Sequence, residues 1–466
     1  MAYPRIAVLG TCDTKLAETL FLRDQIIRSG EADVLLLDVG RTPVQNNYIN
    51  ISNSELASRK SADGPSSLAQ MSRTEYIKYM IECATSLVTE LFQKGEIHGI
   101  VSASGSSGTS LVTAVMRNAL PVGFPKFMVS TMVSGDVSHL VEETDITLMY
   151  SVVDIAGTNA ILNQILTNAA AAITGAATAY CRNGGTTLAN VAAKQRKKRV
   201  AITMFGVTTP CVDAIREHLE SNYAHEVYVF HATGSGGKAM ERLIREKQLD
   251  AVLDITTTEI ADELVGGVLS AGPQRLTAAA KAGIPQVISV GACDMVNFGP
   301  RDSVPTEFSS PGNKRLLYEH NPAVTLMRTT QEECTRIAEF IASKLRDQAV
   351  RPDLVKVILP TGGISMISTP SQPFYKPESD TALFDTLERH LEGSNIEVKR
   401  DDRAINDRGF ALLAAELLVE VVRKKEAEEQ SDNEFKCSYQ YMYSIKEEKK
   451  MEMEMEMEME NMPWVI

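Results

Sequence analysis

RIAVLGTCDTK occupies residues 5–15 and RVAITMFGVTTP residues 199–210. Each is a short apolar run that leaves through a glycine- and threonine-containing turn and enters a helix-forming stretch. A strand buried on both faces reads as a nearly continuous apolar run, and a parallel neighbour needs a helical crossover. These two segments therefore predict the opening βα units of two parallel α/β layers.

Working outward, the first half supplies further short apolar runs at 32–40, 97–104, 125–131 and 146–152. The second supplies them at 226–234, 250–258, 285–291, 355–362 and 396–400. Between them lie amphipathic stretches such as 75–92, in which Ile77, Met80, Ile81, Ala84, Leu87 and Val88 recur at helical spacing. The alternation predicts an α/β chain of two Rossmann-like, doubly wound subdomains with mainly parallel sheets. Residues 154–180, rich in Ala, Gly and Thr, read as a long helix or helix pair suited to close packing between domains. The expected domains are 1–190 and 191–425, with the basic run KQRKKR (194–199) as a solvated linker near the boundary.

Residues 426–466 differ. Five Met-Glu repeats (451–460) have a two-residue period, which builds no apolar face on a helix, so an acidic, disordered tail is expected there. The whole chain of 466 residues carries a formal net charge of −13, and residues 423–466 hold seven Lys/Arg against twelve Asp/Glu. An acidic body argues against nucleic-acid and anionic-membrane binding, while leaving room for a small anion held locally by amides and a few cations. No apolar run reaches the ~20 residues of a membrane span. Seven scattered cysteines without a CxxC pair read as reduced thiols, and no metal site is expected. The expected location is the cytoplasm.

Ligands of doubly wound sheets sit beyond the carboxyl ends of strands, so the loops after strands carry the candidates. In GTCDTK (10–15), Asp13 or Thr14 can cap the next helix, and Lys15 places a cation beside its N-terminus. Arg41 follows the second strand, and Arg73 opens the 75–92 helix. SASGSSGTS (102–110) offers Gly105, Ser106, Ser107 and Gly108 as a turn that aims several amides at an anion. STMVSGD (130–136) is a weaker loop of the same kind. In the second half, Gly234, Gly236 and Ala239 match G-x-G-x-x-A with Asp254 twenty residues on, a dinucleotide-like spacing. His231, Glu259, Asp294 and His320 are the acid–base candidates there.

The blocks GTCDTK, GSSGTSL, MFGVTTPCV, FHATGSGGKAME, LDITTTE, SVGACDMVNFGP and MRTT resemble the Tm-1-like ATP-binding family over about residues 4–422. That resemblance implies two Rossmann-like subdomains, a homodimer, and ATP, with or without Mg2+, bound in the first subdomain. Carried over, the nucleotide would meet Asp13, Thr14, Lys15, Arg41, Gly105, Ser106, Ser107 and Gly108, with Arg73 nearby. Family members tend to have glycine where this chain has Ser104 and Ser107. Serine costs about 1 kcal/mol or more there if the backbone angle is positive. The expected function is thus ATP binding. The alternative is a small-molecule enzyme with its active site between the subdomains, drawing on His231, Glu259 and Asp294.

Overall fold

The computed structural model describes residues 3–59, 68–183, 197–310 and 315–431. The chain forms two compact units: Met1–Lys197 with Glu246–Gln248, and Lys198–Arg245 with Leu249–Ile466. Among the described residues, no helix is long and apolar enough to cross a membrane.

The first unit contains β1 (Arg5–Gly10), β2 (Asp33–Asp38), β3 (Gly99–Ser104), β4 (Lys126–Ser130) and β5 (Thr147–Tyr150). They form one parallel sheet in the order β2-β1-β3-β4-β5. Side chains alternate across a strand, and here both faces are covered. Ile6 and Val8 pack with Leu22 and Ile26 of the helix Cys12–Arg28 and with Leu166 and Ile173 of the helix Ala160–Arg182. Ala7 and Leu9 pack on the other face, with Met80 and Leu87 of the helix Arg73–Gln93 and Val112 and Met116 of the helix Ser106–Ala119. Apolar runs without polar alternation are what such two-sided burial requires. Strand order reverses between β1 and β3, where consecutive connections diverge and leave a crevice at the carboxyl ends.

The helix expected over 154–180 begins at Ala160. Gly157 adopts φ +79° and the Asn159 side chain accepts from the Leu162 amide at 3.0 Å, which fixes the start. Its buried residues belong to the first unit's own core, so its small side chains serve close packing on that sheet.

The second unit contains β6 (Lys198–Met204), β7 (His225–His231), β8 (Ala251–Thr256), β9 (Gln286–Gly291), β10 (Met295–Phe298), β11 (Leu317–Asn321), β12 (Val324–Arg328), β13 (Val355–Pro360) and β14 (Glu397–Asp401). Six of these form a parallel sheet, β14-β13-β9-β8-β6-β7. Counted from its own first strand, this repeats the order of the first unit and adds a sixth strand. The other three make an antiparallel sheet, β10-β12-β11. Met295–Phe298 and Leu317–Asn321, outside the apolar runs read from the sequence, thus supply strands. β10 is wholly buried, with the Asn297 backbone N–H donating to Asp262 Oδ1 at 2.9 Å. β11 is an edge whose Glu319, His320 and Asn321 are exposed, so it carries no apolar signal.

At the carboxyl end a helix covers 408–431, so the first residues assigned to the tail are helical. Glu426 pairs with Lys198 at 2.9 Å and Glu428 with Arg351 at 2.6 Å. The Met-Glu repeats lie outside the described residues, as do residues 194–196 of the expected linker. Lys198 and Arg199, the end of that linker, start β6, and the Arg199 guanidinium grips Asp250 at 2.8 and 2.9 Å.

Candidate functional site

A cavity of about 590 Å³ opens at the carboxyl ends of the first unit's strands. Its wall includes Asp13, Thr14 and Lys15 after β1, Arg41 after β2, Arg73 from the following helix, and Gly105, Ser106, Ser107 and Gly108 after β3. All nine binding candidates from the first half meet there, drawn from four separated stretches. Thr11, Tyr76, Ile77, Thr131, Met132 and Asp154 complete the wall.

The loop after β1 is built differently from expectation. The helix starts at Cys12, so Asp13 and Thr14 are inside its first turn. The Asp13 carboxylate reaches across to the loop after β2, accepting from the amides of Arg41 at 2.9 Å and Thr42 at 3.1 Å. Asp38, fully buried, accepts from the amides of Cys12 at 3.1 Å and Gly40 at 2.8 Å through one oxygen, and its other oxygen has no hydrogen-bond partner. Burial pushes the Asp38 carboxyl and the Cys12 thiol above their ordinary ranges. Between the two carboxylates sits Gly40, where a Cβ would lie 2.7 Å from Asp13 Oδ1 and 2.8 Å from Asp38 Oδ1. Only glycine lets the two loops lock together.

Lys15 has non-helical backbone angles (φ −133°, ψ 30°) and is half-buried. No ion pair among the described residues holds its ammonium. The Arg41 guanidinium donates to the Met71 carbonyl. Tyr76, almost fully buried, donates its hydroxyl to the Val39 carbonyl, and burial raises its phenol well above the ordinary value. The segment 71–77 is in this way tied down over the loop after β2.

The loop after β3 runs straight into the helix Ser106–Ala119. Its N-cap is Gly105, which offers no capping side chain, whereas the helices Asn53–Ser58, Arg73–Gln93 and Ala160–Arg182 are all side-chain capped. The first-turn amides therefore lack a side-chain partner at the positive end of a 14-residue helix. Arg73 Nη2 donates to Ser107 Oγ at 2.5 Å. Below the turn, Thr109 Oγ1 and Ser130 Oγ are 2.6 Å apart, joining the loops after β3 and β4. Neither Ser104 nor Ser107 has a positive φ. Ser104 is strand and Ser107 helix, so the strain considered for serine at these positions does not arise.

The second-half candidates do not assemble in this way. The glycine turn after β7 aims its amides inward: Glu259 Oε1 accepts from Gly234 at 2.7 Å and Gly237 at 3.0 Å. Glu259 Oε2 accepts from Arg275 Nε at 2.8 Å, and Arg275 grips Asp254 at 2.5 and 2.7 Å. All three side chains are buried. The anion of this turn is the protein's own carboxylate, and Asp254 is spent on Arg275, so the dinucleotide-like spacing is structural. Asp294 is also fully buried. Its Oδ2 accepts from Ser365 Oγ at 2.7 Å, its Oδ1 has no partner, and burial raises its carboxyl. His231 is exposed and stacks on Phe205 at 5.6 Å. His231, Glu259 and Asp294 make no hydrogen bond or ion pair with one another.

Of the wall residues not singled out from sequence, Thr131 and Met132 lie in the weaker loop at 130–136. Tyr76 and Ile77 fall one turn beyond Arg73 on the same helix. Asp154 is hidden when 154–180 is read as helix.

Two parallel α/β units of Rossmann-like type, the first with a polar cavity at its strand-order reversal, define the class of protein. The uncharacterised protein family UPF0261 matches it twice, by its N-terminal domain over residues 4–182 and its C-terminal domain over 197–422. The chain belongs to this family. A UPF0261 protein of Clostridium tetani is 42% identical over 420 residues, 90% of this chain and 99% of that one. The ToMV resistance protein Tm-1(GCR237) of Solanum lycopersicum is 35% identical over 438 residues, so the Tm-1-like resemblance holds. That match covers 90% of this chain and 56% of the tomato protein. Among solved structures, MurG of Acinetobacter baumannii has 10% identity and a TM-score of 0.19 over 62% of this chain and 79% of that one, too slight a likeness to carry meaning.

Proposed function

We propose that this chain binds a nucleoside triphosphate, ATP, in the cavity of the first unit. The observation that carries the reading is the convergence of nine residues from four separated stretches on one wall. Its volume of about 590 Å³ falls within the roughly 300–1,000 Å³ of small-ligand sites. The phosphates would meet the uncapped amides of Ser106, Ser107 and Gly108, with Lys15 and Arg73 supplying positive charge. Arg41, whose guanidinium is engaged by Met71, would act mainly by holding the wall. Mg2+ would enter with the nucleotide, held chiefly by its phosphate oxygens and waters.

The reading also takes the chain to be a homodimer, which light scattering at micromolar concentration tests; a monomer mass overturns it. An enzyme built on His231, Glu259 and Asp294 receives no comparable support, since two of the three are buried in internal hydrogen bonds.

The test is calorimetric titration of ATP and ADP, with Mg2+, into the full chain and a Lys15→Ala/Gly105→Asp variant. A Cβ at Gly105 meets nothing within 4 Å, so the aspartate fits while placing a negative charge at the phosphate position. Binding by the wild type and loss in a folded variant supports the reading. No binding at millimolar nucleotide overturns it.

A further inference from the structure

The cations of the cavity wall lie on one side, where the carboxylate of Asp13 is turned onto the backbone amides of Arg41 and Thr42. Lys15, Arg41 and Arg73 all come from the β2–β1 side and the helix above it, beside the uncapped turn after β3. From β4 and β5 the wall receives Thr131, Met132 and Asp154, with no cation. Neighbouring strands lie about 4.8 Å apart, so β5 stands roughly 10 Å from β3 across the sheet. The cavity therefore has an anion-attracting end and a separate end where an anion is disfavoured.

The second end is built with effort. Val153 N donates to Ser151 O at 2.6 Å while Val152 holds φ +62°, a γ-turn of the strained hand on a β-branched residue. Ser151 Oγ donates to Val153 O at 2.7 Å and braces it. The chain leaving this turn presents Asp154 to the cavity. Asp154 is exposed and has no hydrogen bond or ion pair among the described residues. Met132, 39% exposed, lies on the same end.

An ionised carboxylate only accepts hydrogen bonds. It repels phosphate and selects a ligand part that donates; in a nucleotide this is the sugar diol or an exocyclic amine. The sugar is the part that directly follows the phosphates. We infer that Asp154 is a specificity residue that accepts from the ribose hydroxyls, with Met132 giving apolar contact to the nucleoside, while the triphosphate occupies the Lys15–Arg73 end. This rests on the proposed nucleotide reading and extends it from phosphate binding to recognition of a ribonucleoside.

The experiment compares ATP, 2′,3′-dideoxy-ATP and inorganic tripolyphosphate by calorimetry, on the wild type and on Asp154→Ala. Asp154 is exposed, so the variant should melt with the wild type, which circular dichroism verifies. The wild type is expected to prefer ATP over the dideoxy compound by about tenfold or more, as for a hydrogen bond to a charged group. In Asp154→Ala that preference should fall towards one, with tripolyphosphate bound at least as well as before. A preference unchanged in Asp154→Ala overturns the assignment. Tripolyphosphate binding as tightly as ATP to the wild type also overturns it, and leaves the phosphate reading standing. If the wild type binds none of the three, both fail together.

Discussion

The guanidinium of Arg73 lies 2.5 Å from the hydroxyl of Ser107, joining the first turns of two helices that enter the fold from separate stretches of sequence. The bond holds a cation beside the uncapped amides after β3. Ser107→Ala should leave stability within about 0.5 kcal/mol, since Ser107 is only half-buried and loses one side-chain hydrogen bond. It should still weaken ATP several-fold by releasing the guanidinium. Arg73→Ala should cost about tenfold, and the double variant should be no weaker than Arg73→Ala alone. Additive losses in titration would show that the two residues act independently.

Gly105 and Gly108, three residues apart, should respond unequally to alanine. Gly105 has φ −74°, and a Cβ there meets nothing within 4 Å. Gly105→Ala should therefore cost no more than about 1 kcal/mol, the N-cap preference for glycine over alanine. At Gly108 a Cβ would lie 2.7 Å from both Cβ and Oγ of Ser104. Gly108→Ala should cost about 1–3 kcal/mol, the range for overpacking. Urea denaturation of both variants measures the difference, and equal midpoints would contradict the packing account.

Glu259 is bound by Gly234, Gly237 and Arg275 with no exposure to solvent. Removing it leaves a buried guanidinium short of a partner and two amides unpaired. Glu259→Ala should therefore destabilise the chain by about 3–5 kcal/mol. Where the variant remains folded, ATP affinity should be unaltered, because the cavity of the first unit contains no part of this network. A stable Glu259→Ala with impaired activity on some small molecule would instead favour the enzyme reading.

Asp294 is raised by burial, so the folded state keeps its proton to higher pH than the unfolded chain does. Its contribution is fully present below the unfolded carboxylate pKa of about 3.9 and is lost as pH rises through the folded value. Asp294→Asn keeps the shape and removes the titration. The variant's stability relative to wild type should thus rise with pH above about 4, read from denaturation midpoints at several pH values. A difference independent of pH would mean that Asp294 titrates alike in both states.

The main-sheet strands were legible because burial on both faces demands apolar runs, as in Ile6–Leu9 and Val200–Ile202. The small antiparallel sheet was not. In β11 the residues Glu319, His320 and Asn321 face solvent at an edge, and backbone pairing leaves no mark on such side chains. The convergence of Lys15, Arg41, Arg73 and Gly105 was legible as a set of loops after strands. The partners of those loops were not, because Asp13 reaches 28 residues along the chain to Arg41. Glu259 shows the same limit from the other side. A glycine turn advertises amides for an anion, and local spacing does not say that the anion comes from 22–25 residues away in the same chain. Asp154 depended on a strained turn at Val152 that propensities do not foresee.

The most direct test is a crystal structure of the full chain with a non-hydrolysable ATP analogue and Mg2+. The account predicts the triphosphate against the amides of Ser106, Ser107 and Gly108 beside Lys15, with the ribose turned towards Asp154. A nucleotide seated elsewhere on the chain, or an empty cavity at millimolar analogue, would contradict it.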